Sequence, residues 1–257
     1  MRYLVLVPFT YFLLTRLSKG SIVFHLLFEW VAALVLVVLL GDSDSGVENF
    51  IRALGCYFAF ISLYEIGYIA NDVYDASKDE FGRHRLPVGA TITWVGFWSA
   101  SRISFFLFGT YIFGAWQRVE WWLFFGTLCI IFTFHNIVIR YELKIISFLW
   151  LAWYRFMAPL IFVVSKDQIF GISFAVAIGY VIFRYLSYLD SKDMLRLPER
   201  RNNYFRVMFF LSPVASIGFL MQFPFASGYV ILTSYWGSIS LIGAVLSWWI
   251  GRRKIFL

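Results

Sequence analysis

Apolar residues gather in eight long stretches separated by polar breaks, at about 21–40, 49–70, 93–116, 121–139, 145–164, 169–189, 204–221 and 228–250. About 20 apolar residues in a helix cross the roughly 30 Å hydrocarbon layer of a bilayer, so each stretch predicts a membrane-spanning helix. Most breaks are short, which predicts antiparallel neighbours. Two are longer and more polar, at 72–92 and 190–203, and they follow the second and sixth stretches. Residues 1–14 carry Arg2 and an apolar run but no small-x-small cleavage pattern before Arg16 and Lys19, so a retained short or interfacial helix is expected.

Composition supports the same picture. Of 257 residues, 61% are hydrophobic and only 14% charged, with a mean hydropathy of +0.75. A soluble domain is about 45–50% apolar and about 25% charged. The expected fold is all-α: a polytopic membrane helical bundle of about eight spans in two four-helix halves plus a short N-terminal helix, forming one domain over 1–257.

The net charge of +7 changes meaning once its distribution is counted. Arg16, Lys19, Lys78, Arg83, Arg85, Arg140, Lys144, Lys192, Arg196, Arg200, Arg201, Arg206 and the cluster Arg252, Arg253 and Lys254 fall on one side of the predicted spans, while Arg52, Arg118 and Lys166 fall on the other. Lys and Arg concentrate on the cytoplasmic side of membrane proteins. The excess therefore reads as topology, and no nucleic-acid partner is expected. The predicted location is a bacterial inner membrane, multi-pass, with both long polar loops facing the cytoplasm. Cys56 and Cys129 lie inside apolar stretches and read as small hydrophobes without a chemical role.

The two polar loops begin with matching acidic pairs. Asp72 and Asp75 share their spacing with Asp190 and Asp193, offset by 118 residues (190 − 72 and 193 − 75). That offset is what duplication of a four-helix unit leaves, with halves at 21–140 and 145–250. If the second helix continues, Glu65, Tyr68, Asp72, Asp75 and Asp79 recur at steps of three and four along one face. Carboxylates so close repel unless a cation sits among them, and Mg²⁺, a hard ion that carboxylates share with substrate phosphates, fits. Asp190 and Asp193 offer a second such position. Arg83, Arg85, Lys144, Lys192 and Arg196 are candidate phosphate contacts. The plain alternative is a solvated helix end with weak surface pairs. The pairing of the clusters, and their continuation into the span through Glu65 and Tyr68, weigh toward the functional reading.

The segment Asn71-Asp72-Val73-Tyr74-Asp75-Ala76-Ser77-Lys78-Asp79 matches N-D-x-x-D-x-x-x-D and resembles the first motif of the UbiA superfamily of intramembrane prenyltransferases. Arg85-Leu86-Pro87-Val88-Gly89 looks like the family's Arg-Pro-Leu-x-x-Gly stretch shortened by one residue, and the second acidic motif follows the sixth stretch as it does there. The resemblance, which runs from Ser21 onward, implies a Mg²⁺ cofactor held by Asn71, Asp72, Asp75, Asp79, Asp190 and Asp193, with Asp72, Asp75 and Asp190 at the catalytic centre. It also implies a prenyl diphosphate, or a polyprenyl phosphate lipid, as one partner and a small molecule as the other. As the diphosphate departs, the allylic carbon gains carbocation character, which the rings of Tyr64 and Tyr68 would shield.

Departures from the pattern leave the acceptor open. Asp190 and Asp193 form D-x-x-D where many members show D-x-x-x-D, arginines occupy the stretch after Met194, and Tyr141 and Lys144 sit one residue closer than the family's Tyr-x-x-x-Lys. Transfer of phosphoribose from its diphosphate to a polyprenyl phosphate, terpene cyclisation and, from another class, ion-coupled transport are the competing readings.

Other polar residues lie within the spans, where an ionisable group is costly and a functional candidate by default. Arg184, six residues before Asp190, is either a phosphate ligand or a carboxylate's structural partner. Arg102 and Arg155 are unassigned. His25 and Glu29 are one turn apart and predict a pair. His135 and Asn136 suit interhelical hydrogen bonds better than acceptor activation. Gly171, Ala175 and Gly179 form a small-residue stripe expected to pack closely on another helix.

Overall fold

A computed structural model describes residues 3–17, 19–75, 86, 90–138, 140–196, 207 and 226–253. They are helical, with no β-strand among them. The principal helices are α1 (Thr10–Thr15), α2 (Lys19–Phe24), α3 (Val31–Leu40), α4 (Gly46–Ala70), α5 (Ile92–Ile112), α6 (Val119–Ile137), α7 (Tyr141–Met157), α8 (Lys166–Ala175), α9 (Ile182–Ser191) and α10 (Ala226–Arg253). Three turns of π-helix, His25–Trp30, Asn71–Asp75 and Val176–Val181, prolong α2 into α3, extend α4 and join α8 to α9.

Among the described residues, four continuous helices are long and apolar enough to cross a membrane: Ile22–Leu40, Gly46–Val73, Lys166–Ser191 and Ser227–Ile250. The expected count of about eight is therefore established only to that extent. The stretches at 93–116, 121–139 and 145–164 do form helices, but α5 and α6 are rich in Trp and hydroxyl residues and carry Arg102 or Glu120 and His135. Helix α7 has 17 residues and contains Glu142, Lys144 and Arg155. The stretch at 204–221 lies outside the described residues apart from Val207.

The chain packs as two units. The first comprises Met1–Val23 and Phe50–Phe162, and the second Phe24–Asn49 and Val163–Leu257.

In the first unit the N-terminal segment is broken rather than one helix. A 3₁₀ turn at Leu4–Leu6 gives way to α1, which begins after Phe9 in the left-handed region at φ 77°. The break leaves backbone groups without helical partners, and in apolar surroundings these must be satisfied by other parts of the protein. They are. Arg102 donates to the Val5 and Val7 carbonyls, Ser101 to that of Leu6, and Thr10 Oγ1 to those of Leu4 and Val7. Val5 and Tyr11 are fully buried with Ile69 and Trp98 in one apolar cluster. Elsewhere in this unit Trp121 Nε1 donates to Thr110 Oγ1 at 3.1 Å, and the Thr127 and Tyr154 hydroxyls lie 2.6 Å apart, tying α5, α6 and α7 together. After α5 the chain reverses through Gly114 at φ 60°, a conformation that a residue without Cβ adopts freely.

In the second unit the turns flanking α3 and α8 pair: Asp42 N–H donates to Val163 O at 2.9 Å and Ser165 N–H to Leu40 O at 3.1 Å. The Gln168 side chain accepts from Gly228 N–H at 2.9 Å, satisfying a donor in the first turn of α10. The π turn at His25–Trp30 leaves carbonyls exposed to α10, whose Tyr235 and Trp236 donate to Leu27 O and Phe28 O at 2.9 and 3.1 Å. The small-residue stripe packs closely, as its spacing predicts. Gly171, Ala175 and Gly179 are all buried, and a Cβ at Gly179 would stand 2.8 Å from the Trp236 ring.

Candidate functional site

Helix α4 carries the first acidic motif at its end, where the backbone widens from α to π over Asn71–Asp75. Tyr68 and Asp72, four residues apart, share a face: the Arg16 guanidinium lies 4.6 Å over the Tyr68 ring and donates to Asp72 Oδ1 at 2.7 Å. Tyr11 Oη donates to Asp72 Oδ2 at 2.6 Å. Burial raises the Tyr11 phenol above its usual range, and the hydrogen bond to the Asp72 carboxylate adds to the shift. One turn deeper, Glu65 accepts from Phe12 N–H at 2.7 Å and from Arg102 Nε and NH2 at 3.1 and 2.9 Å, with both side chains fully buried. Arg155 donates to Tyr68 Oη at 3.3 Å and stands 4.8 Å over the Phe12 ring. Asp72 is thus engaged from the N-terminal segment, while Tyr68 and Glu65 below it are engaged from α7 and α5 as well.

This environment differs from the expected ring of carboxylates around an ion. Each oxygen of Asp72 has a donor of its own, the side chain is 1% exposed, and the adjacent charge is a guanidinium. A Mg²⁺ ligand must turn a free oxygen toward the ion. As folded, Asp72 does not fit that role. Among the described residues no group of three His, Cys, Asp or Glu side chains converges on a common point. Asp75 belongs to the π turn, while Asp79, Arg83 and Arg85 lie outside the described residues.

The second motif closes α9 in a manner its spacing did not reveal. Asp190 sits in the last helical turn, but Asp193 has φ 55° and stands beyond the helix. Met194 N–H reaches back to Leu189 O at 3.1 Å and Asp193 N–H to Asp190 O at 3.4 Å, the double closure of a Schellman C-cap. Glycine usually fills the left-handed position, and here an aspartate does. Asp190 and Asp193 are therefore a helical residue and a cap residue, not two positions on one face. Lys192 and Arg196 flank the cap. Arg184 stands 5.9 Å over the Phe24 ring, and its buried Nε has no hydrogen-bond partner among the described residues. In the first unit, Lys144 is 3% exposed in the first turn of α7, behind Arg140 and close to Ser147, whose Oγ donates to the Lys144 carbonyl.

The remaining polar residues settle into pairs. His25 Nδ1 lies 2.7 Å from Glu29 Oε1, as their spacing predicts, and Tyr180 Oη donates to the same oxygen at 2.5 Å. His135 Nδ1 meets Ser147 Oγ at 2.8 Å, and Asn136 Nδ2 reaches Gly67 O at 3.3 Å; both contacts are interhelical, as expected. Tyr11 and Arg16 were not anticipated at the site. Only the uncapped break at Val7–Phe9 and the basic Arg16 just after a short apolar run hint at them. No family model matches the chain, and neither the curated proteins nor the solved structures contain a match to it.

Proposed function

We propose that the protein transfers a prenyl or polyprenyl group from its diphosphate to an acceptor at the membrane. The observation that carries this reading is the N-D-x-x-D-x-x-x-D segment beginning at Asn71, on the end of the apolar helix Gly46–Val73 and at the point where that helix turns from α to π. Turns of this kind occur often at functional sites. An acidic motif at the end of a span suits a lipid whose charged head stays near water while its tail lies in hydrocarbon.

The chain's own residues would divide the work by charge. Arg83, Arg85, Lys144, Arg184, Lys192 and Arg196 are the candidates for binding diphosphate, and Tyr64 for shielding the allylic cation, the Tyr68 ring being covered by the Arg16 guanidinium. With Asp72 committed to Arg16 and Tyr11, the donors remaining for Mg²⁺ are Asn71, Asp75 and Asp79 at the first motif and, for a second ion, Asp190 and Asp193 at the second, and such ions would supply charge neutralisation to the diphosphate. The additional spans at 93–116, 121–139, 145–164 and 204–221, the cytoplasmic placement of both motifs and the bacterial inner membrane belong to the same proposal. A second reading, phosphoribosyl transfer to a polyprenyl phosphate, draws on the arginines that follow Asp193.

The test is diphosphate release by purified protein in detergent, from prenyl diphosphates of several lengths and from phosphoribosyl diphosphate, with Mg²⁺ and with EDTA. Release from a prenyl donor that Asp75→Ala and Asp190→Ala abolish is expected. Release only from the phosphoribosyl donor selects the second reading, and release from neither rejects both.

A further inference from the structure

We propose that Asp72 is the latch of an N-terminal strap over residues 4–16, and that Arg16 and Tyr11 are positioning residues which hold this carboxylate out of any metal-ligand set. The strap is fixed at two places within the first unit. At the deep end Glu65 holds Phe12 N–H, Arg102 holds the Val5 and Val7 carbonyls, and Ser101 holds that of Leu6. At the motif end Asp72 alone accepts from two strap side chains, Tyr11 Oη at 2.6 Å and Arg16 at 2.7 Å. Arg16 also reaches the Tyr68 carbonyl at 3.5 Å and covers the Tyr68 ring.

Both anchors rest on carboxylates, so the division of labour follows from what each one holds. Hydrogen bonds to a carboxylate are about twice as strong as neutral ones. The deep anchor secures a backbone that has no helical alternative, whereas the latch joins side chains on two elements that are each helical without it. Loss of the latch therefore releases the motif end first, uncovering Ile69, which packs with Tyr11 in the apolar cluster and is 1% exposed. The inference goes beyond prenyl transfer and does not depend on it, because its readout is the position of the strap.

The experiment uses the full chain in detergent with Cys56→Ala and Cys129→Ala and a single reporter, Ile69→Cys. Its labelling rate with a small thiol reagent is measured, with Leu128→Cys, buried elsewhere in the same unit, as a second reporter. Asp72→Asn and Arg16→Ala are expected to speed labelling at Ile69→Cys by about ten-fold or more, a factor that one lost charge-assisted bond supplies. Tyr11→Phe should fall between, the exchange Arg16→Asp with Asp72→Arg should restore protection, and Leu128→Cys should stay protected throughout. Unchanged labelling in Asp72→Asn and Arg16→Ala overturns the latch. So does simultaneous exposure of both reporters in the mild Tyr11→Phe variant, which would mean that no separate strap exists. If millimolar Mg²⁺ exposes Ile69→Cys in the parent as much as Asp72→Asn does, the ion takes Asp72 from Arg16 and the carboxylate is a ligand after all.

Discussion

Replacing Arg102 by leucine tests whether the deep anchor works as a charge pair or as apolar packing. Arg102 and Glu65 are both fully buried, so the variant leaves an acid in apolar surroundings with backbone N–H groups such as that of Phe12, and no cation, to bond it. Removing one partner of a buried ion pair costs about 3–5 kcal/mol. The carbonyls of Val5 and Val7 lose their arginine donor as well, each adding on the order of 1 kcal/mol. The total, about 5–7 kcal/mol, rivals the stability of many whole domains, so Arg102→Leu alone should yield little folded protein. Pairing it with Glu65→Gln removes the stranded charge while leaving an acceptor for Phe12 N–H, and should recover about 2–4 kcal/mol of the loss. The assay is yield of monodisperse protein in detergent together with the thermal midpoint, read for both single variants and the double. Equal or worse damage in the double variant, or a loss below about 1 kcal/mol in Arg102→Leu, refutes the charge-pair reasoning.

Asp193→Gly relieves a left-handed aspartate and should stabilise the end of α9 by up to about 1 kcal/mol, seen as a higher thermal midpoint; a diphosphate-release assay on the same variant separates this gain from any loss of the carboxylate's chemistry. Gly179→Ala drives a methyl group against the Trp236 ring and should cost about 1–3 kcal/mol, whereas Gly126→Ala, which meets nothing within 4 Å, should be neutral or stabilising in the same thermal scan. Tyr11 donates to Asp72 only while protonated, and its pKa is raised in the fold. Its contribution is therefore complete below the ordinary phenol value of about 10 and declines above it. Protection of Ile69→Cys should accordingly be flat from about pH 6 to 9 and fall in more alkaline buffer, with the Tyr11-dependent part of the fall absent in Tyr11→Phe. Tyr180→Phe removes a buried donor to Glu29 and should lower stability by about 1–3 kcal/mol, measured by thermal scanning; no change would show that His25 alone satisfies the carboxylate.

What sequence reveals here tracks the range of each interaction. The helical character of α3, α4, α8 and α10 follows from unbroken apolar runs, and the His25–Glu29 pair and the small-residue stripe follow from spacing within one helix. Contacts of Asp72 do not. Tyr11 and Arg16 stand 61 and 56 positions away, and no periodicity links a carboxylate to a partner in a different element. Local geometry can also mislead: Asp193 follows Asp190 by three positions, which on a helix means one face, yet the C-cap turns the chain between them. The π turn at Asn71–Asp75 likewise alters the three-and-four stepping that a continuous α-helix would carry past Asp72. Apolar length alone does not decide the span count, because Trp and hydroxyl residues in α5 and α6 extend an apolar pattern while reducing its hydropathy.

The strap also sets a timetable for synthesis. Val5 and Val7 precede their donor Arg102 by 97 and 95 positions. At about 5–20 residues per second, the ribosome delivers Arg102 on the order of 5–20 s after them. Until then the Val7–Phe9 break has carbonyls that hydrocarbon cannot satisfy, which keeps the strap at the aqueous boundary while the following helices insert. The strap is thus seated only after helices that are translated well after it.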